Sequence, residues 1–435
     1  MGGGSQRKSA GWRAATCHKF KGLSRLRRGF WFFLAKAVLT PHAMSKRPTI
    51  VIKPREGRRA RAGAPWIFSN EIVMEGAAKA LPPGSVVDIK FDDGQDFGSG
   101  FFNPKSLIAV RLFARAAGIA ADENFFVARL KRALALRERL FDRPFYRLVH
   151  AEGDGLPGLV IDRFGDVLVV QISIAGIEAK LPALIAALNK AVKPETIILR
   201  NDTPSRALEG LDTYVRTEQG TARRIAVEEN GARYFTDPGQ GQKTGWYYDQ
   251  RDNRAFVAGL AKDRTVLDAY SYTGGFGILA AKAGAKEVIC LDSSEPALKL
   301  AEESAAANKA SIRAVQADVF EEMTRLGTQK ERFDMVLADP PPFVQARKDL
   351  EPGAKAYRKL ARLAADITAP GGLLMMSSCS HNIPMDRFGA ECAAGILKSG
   401  RNASLIHVAG AGSDHPMHPL LPETAYLKAL VYALD

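Results

Sequence analysis

Residues 266–277 read Val266-Leu267-Asp268-Ala269-Tyr270-Ser271-Tyr272-Thr273-Gly274-Gly275-Phe276-Gly277. An apolar run ends in an acid and passes through a glycine turn into a helix-like stretch. In a doubly wound α/β sheet, this turn is where a nucleotide-type ligand sits. A dinucleotide places its phosphates on the helix N-terminus, where backbone N–H groups and the helix dipole favour anions. A carboxylate just ahead of the glycines repels a pyrophosphate and attracts an ammonium group. S-adenosylmethionine carries an α-ammonium and a sulfonium and no phosphate. The stretch therefore points to methyl transfer rather than hydride transfer.

Downstream, apolar strand-like runs alternate with helical spacing. The predicted strands are 265–268, 287–292, 312–316, 334–338, 373–378 and 404–409, with helices over 276–283, 296–308, 355–368 and 385–399. This alternation implies a mostly parallel, doubly wound sheet with its ligand at the carboxyl ends of the strands. Asp292 ends the second strand, where an acid hydrogen-bonds a ribose diol. Asp318 follows the third strand and is placed to accept from an adenine amino group, with Val319 beside the ring. The fourth strand ends Ala338-Asp339-Pro340-Pro341-Pro342-Phe343. Prolines stiffen that loop and remove N–H donors, leaving Asp339 to accept from a base and Phe343 to stack on it. The fifth strand ends Ser377-Ser378-Cys379-Ser380-His381, a thiol at a strand tip on the ligand side of the sheet. Of the other cysteines, Cys290 lies inside a strand, Cys392 inside a helix and Cys17 near the N-terminus. The segment Gly239–Arg251 is polar, glycine-rich and aromatic, and is placed to close over a cofactor through Lys243, Thr244, Tyr247, Asp249 and Arg251. Gly241-Gln242-Lys243-Thr244 lacks the glycine spacing of a P-loop, which excludes an ATPase of that type.

Upstream, residues 49–125 read as short strands separated by Pro82-Pro83-Gly84, Asp92-Asp93-Gly94 and Asn103-Pro104 turns, a small β-rich module. Residues 122–141 have helical spacing. Residues 144–235 read as two strands, a helix and two further strands, then a run over 232–236. The net charge of +14 is uneven: residues 1–43 carry nine Lys/Arg and no acid, and Lys46–Arg61 carries seven against Glu56 alone. Such basic blocks suit a polyanion such as nucleic acid. The apolar run 29–39 behind a basic stretch has the outline of a targeting segment, but Lys36 interrupts it. Residues 1–43 read instead as a disordered basic extension. Four cysteines without metal or disulfide spacing suit a reducing compartment, and the expected location is cytoplasmic. No run approaches the ~20 apolar residues of a membrane span.

Taken together, the motifs resemble the RlmI family of 23S rRNA (cytosine-5-)-methyltransferases over residues 49–435. The carriers are Pro65-Trp66-Ile67-Phe68-Ser69, Glu152-Gly153-Asp154-Gly155-Leu156-Pro157-Gly158, Gly241–Gly245 with Asp249-Gln250-Arg251, Tyr270–Phe276, Asp339-Pro340-Pro341, Ser378-Cys379-Ser380 and Asp414-His415-Pro416. The family has Lys or a similar residue where this chain has Pro342. The resemblance does not extend over the basic extension 1–43; it implies a PUA-like RNA-binding domain over 44–125 and a central strand-rich α/β domain over 126–235. It further implies a Rossmann-like class I methyltransferase domain over 236–435. S-adenosylmethionine is the implied cofactor, held by Asp268, Tyr270, Thr273, Gly274, Gly275, Phe276, Asp292, Asp318 and Asp339 with the Lys243–Arg251 segment. Cys379 and Asp339 are the implied catalytic residues, and Phe343, Arg55, Arg58 and Arg59 the implied RNA contacts. The implied partner is 23S rRNA or a large-subunit precursor. The oligomeric state stays open, a homodimer included. Two other readings stand beside this one: methylation of an exocyclic amino group or a guanine ring nitrogen, which needs no thiol, and non-catalytic RNA binding.

Overall fold

The computed structural model describes residues 47–239 and 244–435. The expectations for residues 1–43, Cys17 and Lys243 lie outside these residues. The N-terminal part is a five-stranded sheet in the order β1-β3-β4-β5-β2. Its strands are β1 (Thr49–Val51), β2 (Trp66–Ile67), β3 (Ser85–Lys90), β4 (Asp96–Phe102) and β5 (Val110–Ala114), with short helices α1 (Arg58–Ala62) and α2 (Gly76–Ala80). The Asp92-Asp93-Gly94 turn joins β3 to β4, and Gly94 takes the left-handed φ of 85° that the turn requires. Alternate residues Val87 and Ile89 are buried with Ile50, Ile52 and Phe102, the period of a half-buried sheet.

Helix α3 (Glu123–Leu140) begins at Asp122, whose side chain accepts from Phe125 N–H at 3.0 Å, an N-cap. Its inward face buries Phe126, Leu130, Ala133 and Arg137. The central part is a second five-stranded sheet, in the order β10-β9-β8-β7-β6. The strands are β6 (Phe145–His150), β7 (Leu159–Phe164), β8 (Val167–Ile172), β9 (Thr196–Asn201) and β10 (Tyr214–Gln219), with α4 (Ala175–Glu178) and α5 (Leu181–Ala191) bridging the parallel pair β8 and β9. The sequence reading gave neither β6 nor β10. Strand β10 is an edge strand with polar, mostly exposed residues, so it lacks an apolar period. The runs read as closing this unit, β11 (Ile225–Glu229) and β12 (Ala232–Thr236), form a separate hairpin.

The C-terminal part is a seven-stranded sheet in the order β15-β14-β13-β16-β17-β19-β18. Strands β13 (Thr265–Ala269), β14 (Glu287–Asp292), β15 (Arg313–Gln316), β16 (Phe333–Ala338) and β17 (Thr368–Ser378) run parallel. Strand β19 (Lys428–Leu434) pairs antiparallel with both β17 and β18 (Ala403–Ala409). Helices α6 (Arg251–Ala258), α7 (Gly275–Lys282), α8 (Glu295–Ala307), α9 (Val319–Thr328), α10 (Leu350–Asp366) and α11 (Met385–Lys398) complete it. The inner strands are continuous apolar runs, as parallel strands covered on both faces must be. The sequence reading lacked β19, α6 and α9. Strand β19 is an unbroken apolar run behind one lysine, a pattern that periodicity alone does not distinguish from a buried helix.

Arg137, fully buried on α3, joins the parts. Its guanidinium donates to both carboxylate oxygens of Asp154 at 2.6 and 2.8 Å, to the Arg147 carbonyl at 2.8 Å and to the Asp414 carbonyl at 2.9 Å. Asp414 in turn accepts from Arg147 N–H at 2.9 Å and meets His415 Nδ1 at 2.8 Å. Removing one member of such a buried pair strands the other charge, at a cost of about 3–5 kcal/mol. Arg137→Met is therefore expected to lower unfolding free energy by about that amount in denaturant titration, and Arg137→Met/Asp154→Leu to recover much of it.

Candidate active site

The glycine turn after β13 is built by close approach. Gly274 starts α7 at a left-handed φ of 79°. A Cβ on Gly277 would lie 2.6 Å from Cys290 Sγ, so the turn can press onto β14 only with glycine there. Tyr270 and Tyr272 also have left-handed φ values, 61° and 49°. For residues with a Cβ this costs on the order of 1–3 kcal/mol each, strain that collects at ligand sites.

Asp268, read as meeting the ammonium group of the cofactor, makes its hydrogen bond to the turn itself. It is 1 % exposed and accepts from Gly277 N–H at 2.7 Å. Burial pushes its carboxyl up to about 7 against that hydrogen bond, with Asp339 adding to the rise. Its observed contact therefore braces the turn from beneath. Asp318 also differs: it is exposed, and its Oδ1 accepts from Glu321 N–H at 3.0 Å as the N-cap of α9. A short acid after a strand serves a helix start as well as a ligand.

Above the turn lies a cavity of about 340 Å³. Its walls include Tyr270, Thr273, Gly275, Phe276, Asp292, Asp339, Tyr247 and Asp249. Asp292 accepts from Tyr272 N–H at 2.8 Å and from Ser294 N–H at 2.9 Å, one bond on each oxygen. Each oxygen keeps a further acceptor site. Four side-chain atoms of wall residues, Ser271 Oγ, Thr273 Oγ1, Gln250 Nε2 and Arg254 Nε, are buried without a partner among the described residues. Buried polar atoms are rarely left so unless a ligand or water completes them. The cation on this wall, Arg254, is held by Glu229 at 2.7 Å. A wall of acids and neutral donors suits a cationic nucleoside and not a polyphosphate.

A second cavity, of about 690 Å³, opens between the central and C-terminal parts. The central sheet contributes Arg147, His150 and Gln171, and the C-terminal part contributes Thr244, Pro342, Val344, His381 and Tyr426. Cys379, Tyr247, Asp249 and Pro342 line both cavities. A third cavity, about 810 Å³ and larger than either, holds Arg251 but none of the other predicted site residues. It is separate from the strand ends. Arg251 itself contacts Glu229 at 3.7 Å and lies over Phe141, so it packs the parts together instead of facing the smaller cavity.

The flanks of Cys379 explain its presentation. Ser378 and Ser380 are buried, and both hydroxyls meet Tyr357 Oη, at 2.8 and 2.9 Å. Ser380 Oγ also accepts from Val344 N–H at 3.2 Å. The two serines thus fasten the strand tip to α10 and to the Asp339–Val344 loop, while the partly exposed cysteine between them reaches both cavities. Phe343 is not free to stack on a base. Its ring packs 4.7 Å from that of Tyr357 and 6.0 Å from that of Phe320. Pro342 and Val344 take the wall instead.

Arg55 and Arg58 are exposed at and beside α1. Arg59 is tied to the C-terminal part, 2.7 Å from Glu423 and 3.1 Å from the Leu420 carbonyl. The sequence reading missed Tyr357, His150, Tyr426 and Lys428. Tyr426 donates to Asp249 at 2.6 Å, and Lys428 donates to the carbonyls of Ser380 and Tyr426. Only a lysine opening an apolar strand hinted at the last. Among the described residues no His/Cys/Asp/Glu group could hold a metal ion, and no helix is long and apolar enough to cross a membrane.

Comparison with known proteins agrees with this architecture. The family model for S-adenosylmethionine-dependent methyltransferases matches residues 213–433, and that for PUA-like domains matches residues 50–115. The chain is 36% identical over 390 residues to ribosomal RNA large subunit methyltransferase I of Alteromonas mediterranea, covering 88% of this chain and 98% of that protein. It is 38% identical over 377 residues to the protein of the same name from Tolumonas auensis, covering 84% and 94%. Among solved structures, one described as a candidate SAM-dependent methyltransferase from Streptococcus mutans superposes with a TM-score of 0.75 at 19% identity, covering 89% of this chain and 100% of that one. Another, described as a candidate methyltransferase complexed with SAH, gives 0.76 at 20% identity over the same shares. At such identity the structures speak for the fold alone. The chain belongs to the ribosomal RNA large subunit methyltransferase I family, with a PUA-like domain ahead of an S-adenosylmethionine-dependent methyltransferase domain.

Proposed function

We propose that this protein forms 5-methylcytosine in large-subunit (23S) ribosomal RNA through a covalent adduct on Cys379. The observation that carries the reading is the place of Cys379 on the wall of both cavities. In this reading the smaller cavity takes S-adenosylmethionine. Asp292 keeps acceptor capacity for the ribose diol, Tyr270 and Pro341 supply apolar wall, and the unpartnered Ser271, Thr273 and Gln250 atoms gain partners. Bound there, S-adenosylmethionine supplies an electrophilic methyl group on a sulfonium.

The larger cavity takes the target base. Carbon 5 of cytosine is a poor nucleophile until a nucleophile adds at carbon 6. The Cys379 thiolate adds there. The sulfur–carbon bond forms, and the 5,6 double-bond pair moves onto the ring toward the nitrogen beside the carbonyl. Asp339 holds that edge and shares the proton the nitrogen takes up. Carbon 5, now enamine-like, accepts the methyl group. A base then removes the carbon-5 proton, the double bond re-forms and the thiolate leaves. A stacked base hides carbon 6, so the target is single-stranded or flipped out. Large-subunit rRNA as substrate rests on the relatives' names, and Arg55 and Arg58 on the PUA-like domain give the RNA backbone exposed cations.

The expected outcomes divide the reading into its parts. Cys379→Ala should lose on the order of 10³-fold or more in methyl transfer while keeping its affinity for S-adenosylmethionine in calorimetry. Mapping 5-methylcytosine in rRNA with and without the gene should show one position lost. Full activity in Cys379→Ala, or a methyl group found on an exocyclic amino group, overturns the covalent route. Separately, Asp292→Ala should weaken S-adenosylmethionine binding by about 10-fold or more, the value of a charge-assisted hydrogen bond pair. Unchanged affinity in that variant would remove the ribose role of Asp292.

A further inference from the structure

Lys428 opens β19 and stands opposite Ser378, the residue before Cys379. It is 5 % exposed, and its ammonium donates to the Ser380 carbonyl at 2.7 Å and the Tyr426 carbonyl at 2.9 Å. Among the described residues no carboxylate lies within ion-pair distance of it. An ammonium buried on carbonyls alone has lost its hydration without gaining a counter-charge. Burial accordingly pulls Lys428 down to about 8, and Cys379 acts in the opposite direction, favouring the charged amine.

Among the described residues, the other groups around Cys379 do not offer the same charge. Tyr247 and Tyr426 share its cavities and Tyr357 holds its serine neighbours; burial pushes all three hydroxyls up, so they stay neutral near pH 7. Asp339, Asp249 and His381 share its cavities, and two of these are acids that oppose a thiolate. Arg147 and Arg254 line the same walls but are held by Asp162 at 2.8 Å and Glu229 at 2.7 Å. Among the described residues of this set, Lys428 is the cation without a carboxylate partner.

We propose that Lys428 is a positioning residue for the covalent step, its ammonium being the counter-ion that holds Cys379 as a thiolate. The inference rests on Cys379 being the nucleophile. The thiol proton passes to the uncharged amine of Lys428, or to solvent when the amine is already charged. Either way a thiolate and an ammonium stand together, and no oxidant or co-reactant is needed. When the sulfur adds to the base, the ammonium loses its partner until elimination restores it, so the pair favours release as well as attack.

The test reads the thiol directly in the full chain. The pH dependence of Cys379 alkylation by iodoacetamide is followed by mass spectrometry of the peptide that carries it, so that Cys17, Cys290 and Cys392 do not contribute. The wild-type midpoint is expected below ~8.5, the ordinary thiol value. Lys428→Met should raise it by about one unit, slowing alkylation at pH 7 by about 10-fold, and Lys428→Arg should restore it. A wild-type midpoint at or above ~8.5 overturns the proposal even if Lys428→Met does not fold. An unchanged midpoint in folded Lys428→Met does the same. If the midpoint moves as expected while Cys379→Ala keeps full methyl transfer, the ion pair stands and the covalent reading fails.

Discussion

The Arg137 guanidinium is the constraint on which the larger cavity depends. A fully buried cation must have all its N–H groups answered, because each unanswered one costs as much as several good contacts return. Arg137 finds its acceptors on β6, on the turn holding Asp154 and on the Asp414 carbonyl. Satisfying one side chain of the central part thus brings the segment after β18 onto the central sheet. Gly153 shows how close that approach is, since a Cβ there would meet the Pro416 carbonyl at 1.8 Å. The same segment then supplies Pro416, Thr424 and Tyr426 to the cavity wall. The cavity is a by-product of burying a charge.

The two cavities are held in different ways. The smaller sits on one turn, braced beneath by Asp268 and strained at Tyr270 and Tyr272, with walls from the Trp246–Gln250 and Asp339–Pro342 segments. The larger is walled by two parts of the chain that meet through side-chain hydrogen bonds and a shared apolar cluster, and its volume is about 690 Å³ against 340 Å³. Cys379 is anchored through its serine neighbours and Tyr357, and lines both cavities. A side chain so held between two cavities is set in orientation toward each.

The sequence was legible where function follows chain order. Alternating strands and helices gave the doubly wound sheet, and strand ends put Asp292, Asp339 and Cys379 where the structure has a cavity wall, because the strand tips of such a sheet border its crevice. It misled where a side chain had a local use. Asp318 caps its own helix, Asp268 braces its own turn, and Phe343 packs on Tyr357. Residue type and spacing do not reveal such competition between near and far partners. Arg251 and Arg59 were read for their charge and proved to join parts of the fold. Lys428 was illegible for a further reason: an antiparallel pairing brings it to Cys379 from far along the chain.

That pairing also fixes an order of events in the making of the protein. Strand β19 lies between β17 and β18, both of which precede it in sequence. Until residues 428–434 have left the ribosome, β17 has an open edge, its thiol-bearing tip has no neighbour on that side, and β18 has nothing to pair with. A nascent chain can therefore form the glycine turn early, on β13 and β14, but not the β17–β19 pairing that borders Cys379. The last strand to be made thus lies at the centre of this half of the sheet and completes the border of the Cys379 tip.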